Sequence, residues 1–322
     1  MDEKSMNLLR QTFASRLQEN VHMANYSTMN VGGKADALII LYSAVEMENF
    51  IKKLWDLGIS FIILVSGSNV LISDKGIREL VLVNHAHNLR INTNVQPASV
   101  WAESGANLAQ VARQTGLRGL SGLEWASAVP GTVGGAVYGN AGAYKKDISC
   151  SLFSAEILHR QSGKQIWVKE KFQYSYRSSI LKKEPQEVYI LSAIFSLDKG
   201  DPNIILAQME DYRQKRRITQ PPGSSLGSIF RNPEGEKAGQ LIEKAGLKGK
   251  RIGDAEISPL HANFIINTGE ALAQDILELV LMARQAVESN SGIRLIPEIQ
   301  IIGEWGQKYQ SIIHSINTGM ES

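Results

Sequence analysis

Five glycines, Gly131, Gly134, Gly135, Gly139 and Gly142, recur among small and apolar residues in the stretch 122–144. They are too many for a stable helix and too regularly spaced for a floppy linker. A residue without a Cβ lets backbone N–H groups approach an anion closely, so the stretch reads as a phosphate cradle. The competing reading is a tight turn that only packs two strands. A second loop shifts the balance: the apolar β-branched run Phe61-Ile-Ile-Leu-Val65 leads directly into Ser66-Gly67-Ser68-Asn69. Two cradles suit a large phosphorylated ligand.

Neither loop matches the common nucleotide fingerprints. A Gly-x-Gly-x-x-Gly turn should open a helix, whereas Val70-Leu-Ile72 continues as a strand, and Gly-x-x-x-x-Gly-Lys-Ser/Thr is absent. The fold is therefore of another kind.

The elements that must position these loops follow from pattern and caps. A short amphipathic helix is expected over 7–20. A strand over 35–41 precedes a helix opened by Ser43 and Glu46 as a capping box and closed by Gly58. Strands are expected over 61–65, 80–83 and 100–103, and a helix runs from the N-cap Asn107 to Gly116. Alternation over 155–159, 165–168 and 188–197, with Ser162-Gly163 as a hairpin turn, makes this lobe strand-rich. A helix over 203–215 ends at Gln220-Pro-Pro-Gly-Ser-Ser225, the clearest boundary in the chain. Beyond it, helices over 238–245 and 271–289 mix with strands over 262–266 and 299–302. The tail from Gln307 reads as short and alternating, packing back on the first lobe.

Composition narrows the class. A chain of 322 residues needs two or three compact units. Hydrophobic residues at 43% and charged at 20% describe an ordinary soluble globular protein. Lys+Arg of 34 against Asp+Glu of 32 argues against a nucleic-acid footprint. The local run Arg213-Gln-Lys-Arg-Arg217 could meet a phosphate or simply face solvent. A single cysteine, Cys150, excludes an internal disulfide, and its surroundings suggest an inert small residue. Without an apolar leader or a span of ~18 apolar residues, a cytoplasmic protein is expected, with no membrane partner. His85 and His87 lie two apart, but no clustered acid or thiol completes a metal site, so no metal is expected.

Six segments together carry a resemblance. Ser66-Gly-Ser-Asn-Val-Leu-Ile72, Val129-Pro-Gly-Thr-Val-Gly-Gly-Ala136, Asn140-Ala-Gly-Ala-Tyr144, Tyr174-Ser-Tyr-Arg-Ser-Ser179, Gly227-Ser-Ile-Phe-Arg-Asn-Pro233 and Pro297-Glu-Ile299 stand in this order. They resemble the flavin-binding and catalytic segments of bacterial UDP-N-acetylenolpyruvoylglucosamine reductases (MurB), over about residues 25–303. Departures are Ser66 and Asn263, where glycine is usual, and Lys145-Lys146, where a glycine commonly follows the tyrosine.

The resemblance implies an α+β chain: a flavin-binding fold of the PCMH / vanillyl-alcohol-oxidase type in two lobes, 1–92 and 93–217. A separate α+β substrate domain covers 218–302, and the tail 303–322 packs on lobe one. It implies non-covalent FAD held by Ser66, Gly67, Ser68, Asn69, Val70, Pro130, Gly131, Thr132, Gly134, Gly135, Asn140, Gly142, Ala143 and Tyr144. NADPH is the hydride donor, and a sugar nucleotide is the acceptor, held by Tyr176, Asn232 and Arg217 or its neighbour Arg216. The short span from Arg177 to Ser228 favours the shorter, type II form, acting as a monomer.

Three residues then take chemical roles by resemblance. Hydride adds to the terminal carbon of an enolpyruvyl ether, and negative charge builds on the adjacent carbon and its carboxylate. Arg177 offers a planar two-pronged donor to that carboxylate. Glu298, as a neutral acid, hydrogen-bonds the same enolate, and Ser228 delivers the proton to carbon. Two other functions share the cradles: a flavin oxidase, which would leave Arg177, Ser228 and Glu298 without a joint task, and a non-catalytic sugar-nucleotide-binding protein.

Overall fold

The computed structural model describes residues 1–183 and 188–318. The chain divides into two compact units: Met1–Ile39, Ser66–Val81 and Arg217–Ser322 form the first, and Ile40–Val65 with Leu82–Arg216 the second.

The first unit is assembled from distant parts of the chain. Its opening helix, Glu3–Phe13, is capped by Asp2, whose carboxylate accepts the Ser5 N–H at 2.8 Å. The helix is shorter than 7–20 suggests. Ala14 turns to a φ of 38°, and the strand Gln18–His22 then pairs antiparallel with Lys34–Leu41, so ladder hydrogen bonds override the helical pattern.

The strand Val70–Ile72 runs parallel to Gln300–Ile302, and just beyond it Asp74 caps the long helix Ala273–Ser291 by accepting the Ala273 and Gln274 N–H groups at 2.8 and 3.0 Å. A small antiparallel sheet orders the strands Ser224–Ser225, Ile265–Asn267, Ala255–Ile257 and Arg251–Ile252. The inner face of the long helix, including Ile276 and Val280, shares one apolar core with Ala255, Ile257, Leu71 and Ile301. The tail is not alternating: Tyr309, Ile313 and Ile316 are spaced four and three apart, and they bury one face of a helix, Gln307–Thr318, in that core. Residues 319–322 of the expected tail lie outside the described residues.

The second unit is strand-rich, as its alternation suggests. Gly163–Val168, Leu152–His159, Val188–Lys199, Ala98–Glu103 and Leu89–Asn92 lie side by side, every pair antiparallel. The local caps are where the sequence puts them. Ser43 accepts the Glu46 N–H at 3.1 Å to start Ala44–Leu57, although Glu46 reaches back to the Tyr42 N–H at 2.8 Å rather than to Ser43. Gly58 ends that helix at φ 66°, and Asn107 caps Leu108–Gly116 through the Gln110 N–H. Trp125, Phe172 and Phe195 fill the core beneath the sheet.

Among the described residues, no helix is long and apolar enough to cross a membrane.

Candidate active site

The glycine-rich stretch of the second unit contains a helix, Val133–Gly139, contrary to the expectation from glycine content. Packing supplies what propensity withholds: Val133, Ala136 and Val137 are buried in the core, and a Cβ on Gly134 would lie 2.9 Å from the Ser104 Cβ. The Val133 and Gly134 N–H groups donate to the carbonyls of Ala106 (2.9 Å) and Ser104 (2.7 Å), which anchors the helix start on the neighbouring loop. Gly135 is different. It is exposed, and a Cβ there would meet only Thr132 Oγ1, at 3.6 Å.

The rest of the stretch is tied down internally. Asn140, buried and at a φ of 47°, donates to Asp147 and to the Ser175 carbonyl, each at 3.0 Å, and accepts the Ser149 N–H at 3.2 Å. Gly142 and Ala143 pair with Lys146 and Asp147 in a two-residue ladder. Tyr144 stacks on Tyr212 with ring centroids 4.1 Å apart and donates its hydroxyl to the Tyr212 carbonyl at 2.8 Å. Burial raises the Tyr144 pKa, and the nearby Arg216 charge opposes the rise; burial likewise lowers that of Arg216.

The turn that carries Arg177 hangs from this same helix. Ser175 and Ser178 exchange backbone hydrogen bonds at 3.1 Å, with Arg177 in the left-handed region at φ 55°. Tyr174 donates to the Val137 carbonyl (2.9 Å), Ser179 to that of Tyr138 (2.6 Å) and Lys182 to that of Arg177 (3.1 Å). Burial and then the Asp147 charge push the Tyr174 phenol well above the ordinary range, so the hydroxyl keeps the proton it donates. Left-handed backbone costs an arginine about 1–2 kcal/mol, so this set of anchors holds a conformation the residue would otherwise leave. Tyr176 is exposed, its ring 5.9 Å from the Arg177 guanidinium.

In the first unit, Gly67 sits at φ 56° so tightly against the preceding loop that a Cβ would fall 2.0 Å from the Tyr26 carbonyl oxygen. The Gly67→Ala variant is expected to lose at least about 2 kcal/mol in denaturant unfolding, from left-handed strain plus overpacking; an unchanged midpoint would show that the loop yields. Ser66 and Ser68 place their hydroxyls 3.0 Å apart, and Val70 begins the strand that follows.

Asn69 joins this loop to the catalytic candidates. Its side chain donates to the Glu298 carbonyl at 3.0 Å, and its own carbonyl accepts the Gln300 N–H at 2.9 Å. Glu298 in turn donates its N–H to the Ile229 carbonyl at 2.7 Å, one residue beyond Ser228. Asn69, Ser228 and Glu298 therefore lie along one hydrogen-bonded run within the first unit, whereas Arg177 belongs to the second. Gly227, at φ 74°, has open space where a Cβ would stand. Asn232 accepts the Ala238 N–H at 3.0 Å near the start of a helix, and Arg217 is exposed.

The loop of the first unit offers the hydroxyls of Ser66 and Ser68, and the glycine-rich stretch of the second, taken by itself, offers the hydroxyl of Thr132 and the open backbone at Gly135. Neutral donors of this kind fit the phosphates of a dinucleotide such as FAD.

A model of an FAD binding domain matches residues 35–169, and one of the UDP-N-acetylenolpyruvoylglucosamine reductase C-terminal domain matches 219–302. The UDP-N-acetylenolpyruvoylglucosamine reductase of Chloroflexus aggregans is 36% identical over 306 residues, covering 91% of this chain and 100% of that protein. That of Bacillus subtilis is 37% identical over 302 residues, covering 94% and 99%. The crystal structure of the same reductase from Thermus caldophilus superposes with a TM-score of 0.75 at 31% identity, covering 89% of this chain and 98% of that one.

This chain belongs to the UDP-N-acetylenolpyruvoylglucosamine reductase family. FAD binding falls to the matched domain, residues 35–169. The sequence gives no sign of Tyr212, whose stacking on Tyr144 joins positions 68 residues apart, and it marks Asn263 only as a departure where glycine is usual. Only the pairing of an aromatic in the glycine-rich stretch with one on a distant helix could have signalled the first.

Proposed function

We propose that this chain reduces the enolpyruvyl group of UDP-N-acetylenolpyruvoylglucosamine at the expense of NADPH, giving UDP-N-acetylmuramate for peptidoglycan synthesis. The observation that carries this is the 36% identity to a named reductase over that protein's entire length. When bound, FAD relays a hydride from NADPH to the terminal vinyl carbon. The protein's own residues do the rest. Arg177 pairs through two parallel hydrogen bonds with the substrate carboxylate as charge grows there. Ser228 gives its hydroxyl proton to the adjacent carbon as the C=C π bond is lost, and solvent restores the serine. Glu298, linked by its backbone to the residue after Ser228, acts on the same enolate.

The flavin is assigned to Ser66, Gly67, Ser68, Asn69, Val70, Pro130, Gly131, Thr132, Gly134, Gly135, Asn140, Gly142, Ala143 and Tyr144. The sugar nucleotide is assigned to Tyr176, Arg217 and Asn232. Residues 1–92 and 93–217 are assigned as flavin lobes, with the tail 303–322 belonging to the first, and 218–302 as substrate domain; the match of the reductase C-terminal domain at 219–302 supports the boundary near 218. The enzyme acts as a monomer in the cytoplasm.

Purified protein is expected to be yellow. NADPH added without oxygen should bleach its visible bands, and UDP-N-acetylenolpyruvoylglucosamine should restore them. Acid denaturation should leave intact FAD in the supernatant. Flavin retained on the precipitated polypeptide would favour an oxidase of the same fold, and bands indifferent to NADPH would favour a non-catalytic binder.

A further inference from the structure

A hydroxyl transfers a proton efficiently only where its backbone is held, because misplacement by about 1 Å can lower a rate on the order of 10²-fold. The segment after Ser228 is held along one edge by main chain: Glu298 donates to the Ile229 carbonyl at 2.7 Å, and Arg231 donates to that of Ile296 at 3.0 Å. Among the described residues, Asn263 closes the segment further. Ile229 donates its N–H to the Asn263 carbonyl at 2.9 Å. The Asn263 side chain then takes the place of the next peptide: its Oδ1 accepts the Phe230 N–H at 2.9 Å, and its Nδ2 donates to the Phe230 carbonyl at 2.8 Å.

All three residues are shut off from water, with Asn263 4%, Phe230 2% and Ile229 1% exposed. Loss of the carboxamide would leave a buried donor and a buried acceptor unmatched. Asn263 is itself fixed, since its N–H donates to His261 Nδ1 at 3.2 Å.

We infer that Asn263 is a positioning residue for proton transfer: by bonding both backbone groups of Phe230 it sets the place of Ser228. The inference rests on Ser228 being the proton donor. The Asn263→Asp substitution nearly preserves volume and keeps an oxygen for the Phe230 N–H, but it turns a second oxygen against the Phe230 carbonyl, where a donor is required. The holoenzyme carrying it is expected to bleach with NADPH at the wild-type rate. It should bind UDP-N-acetylenolpyruvoylglucosamine within about twofold of wild type, and recover colour with that substrate about tenfold more slowly or worse. Amide hydrogen exchange at Phe230 should accelerate. Asn263→Ala, which removes both carboxamide bonds to Phe230, gives the same readout should the aspartate variant fail to fold.

Pairing either variant with Ser228→Ala separates the two ideas, because a residue that works through Ser228 has no further effect once the hydroxyl is gone. No additional slowing in the double variant supports the inference. Wild-type recovery in both single variants, or the same slowing with and without Ser228, overturns it and leaves Ser228 in its role. Wild-type recovery in Ser228→Ala alone removes the Ser228 assignment, and the positioning role with it.

Discussion

Replacing Ser228 with alanine is expected to slow the return of flavin colour by UDP-N-acetylenolpyruvoylglucosamine at least about 10²-fold, the low end of what a positioned acid contributes. Bleaching by NADPH should stay near the wild-type rate, because that half-reaction delivers no proton to substrate carbon. The geometry suits so local a change: Gly227 precedes Ser228 with open space around its Cα, and the following residues are bonded on both edges through backbone atoms that the substitution leaves alone. Anaerobic stopped-flow reads the two steps separately. Equal slowing of both would mean a distorted pocket, and normal recovery would hand the proton to Glu298 or to water.

The second large effect is expected at Arg177. Lysine keeps the charge but presents one point where guanidinium presents a planar pair of donors, so Arg177→Lys should reduce turnover by about 10²–10³-fold. Substrate affinity should fall much less if the pairing strengthens as charge develops. The turn makes this a clean comparison. Lysine and arginine are both unbranched at Cβ and meet the same penalty at φ 55°, while the bonds from Lys182 to the residue's own carbonyl and from Asn140 to the Ser175 carbonyl do not involve the altered group. Unchanged turnover would leave Arg177 as an ordinary surface arginine.

What could be read in advance was local. Ser43, Gly58 and Asn107 act within a few residues of themselves, so composition at those places already announces the ends of helices. The family motifs were legible for the same reason, since each is a short run of specified residues. What escaped depended on partners far along the chain. The helix Val133–Gly139 exists because Ser104 and Ala106 receive its first N–H groups, which no count of glycines reveals. The expected helix gives way to a 3-10 turn over Ala14–Arg16 and then, from Gln18, to a ladder with Lys34–Leu41. Asn263 stands in sequence only as a departure from a usual glycine, and its task depends on Phe230, some thirty residues earlier, whose two backbone groups its amide bonds.

The parallel pairing of Val70–Ile72 with Gln300–Ile302, and the capping of Ala273–Ser291 by Asp74, bear on how the protein is made. A ribosome extending the chain at about 5–20 residues per second delivers those partners tens of seconds after the strand itself. The second unit has all its residues once Arg216 has been added, whereas 1–39 and 66–81 must wait for the carboxy-terminal hundred. During that interval Met29, Val31 and Leu71, destined for the core, lack the partners that bury them. A pause in translation between residues 81 and 300 would therefore prolong that exposure.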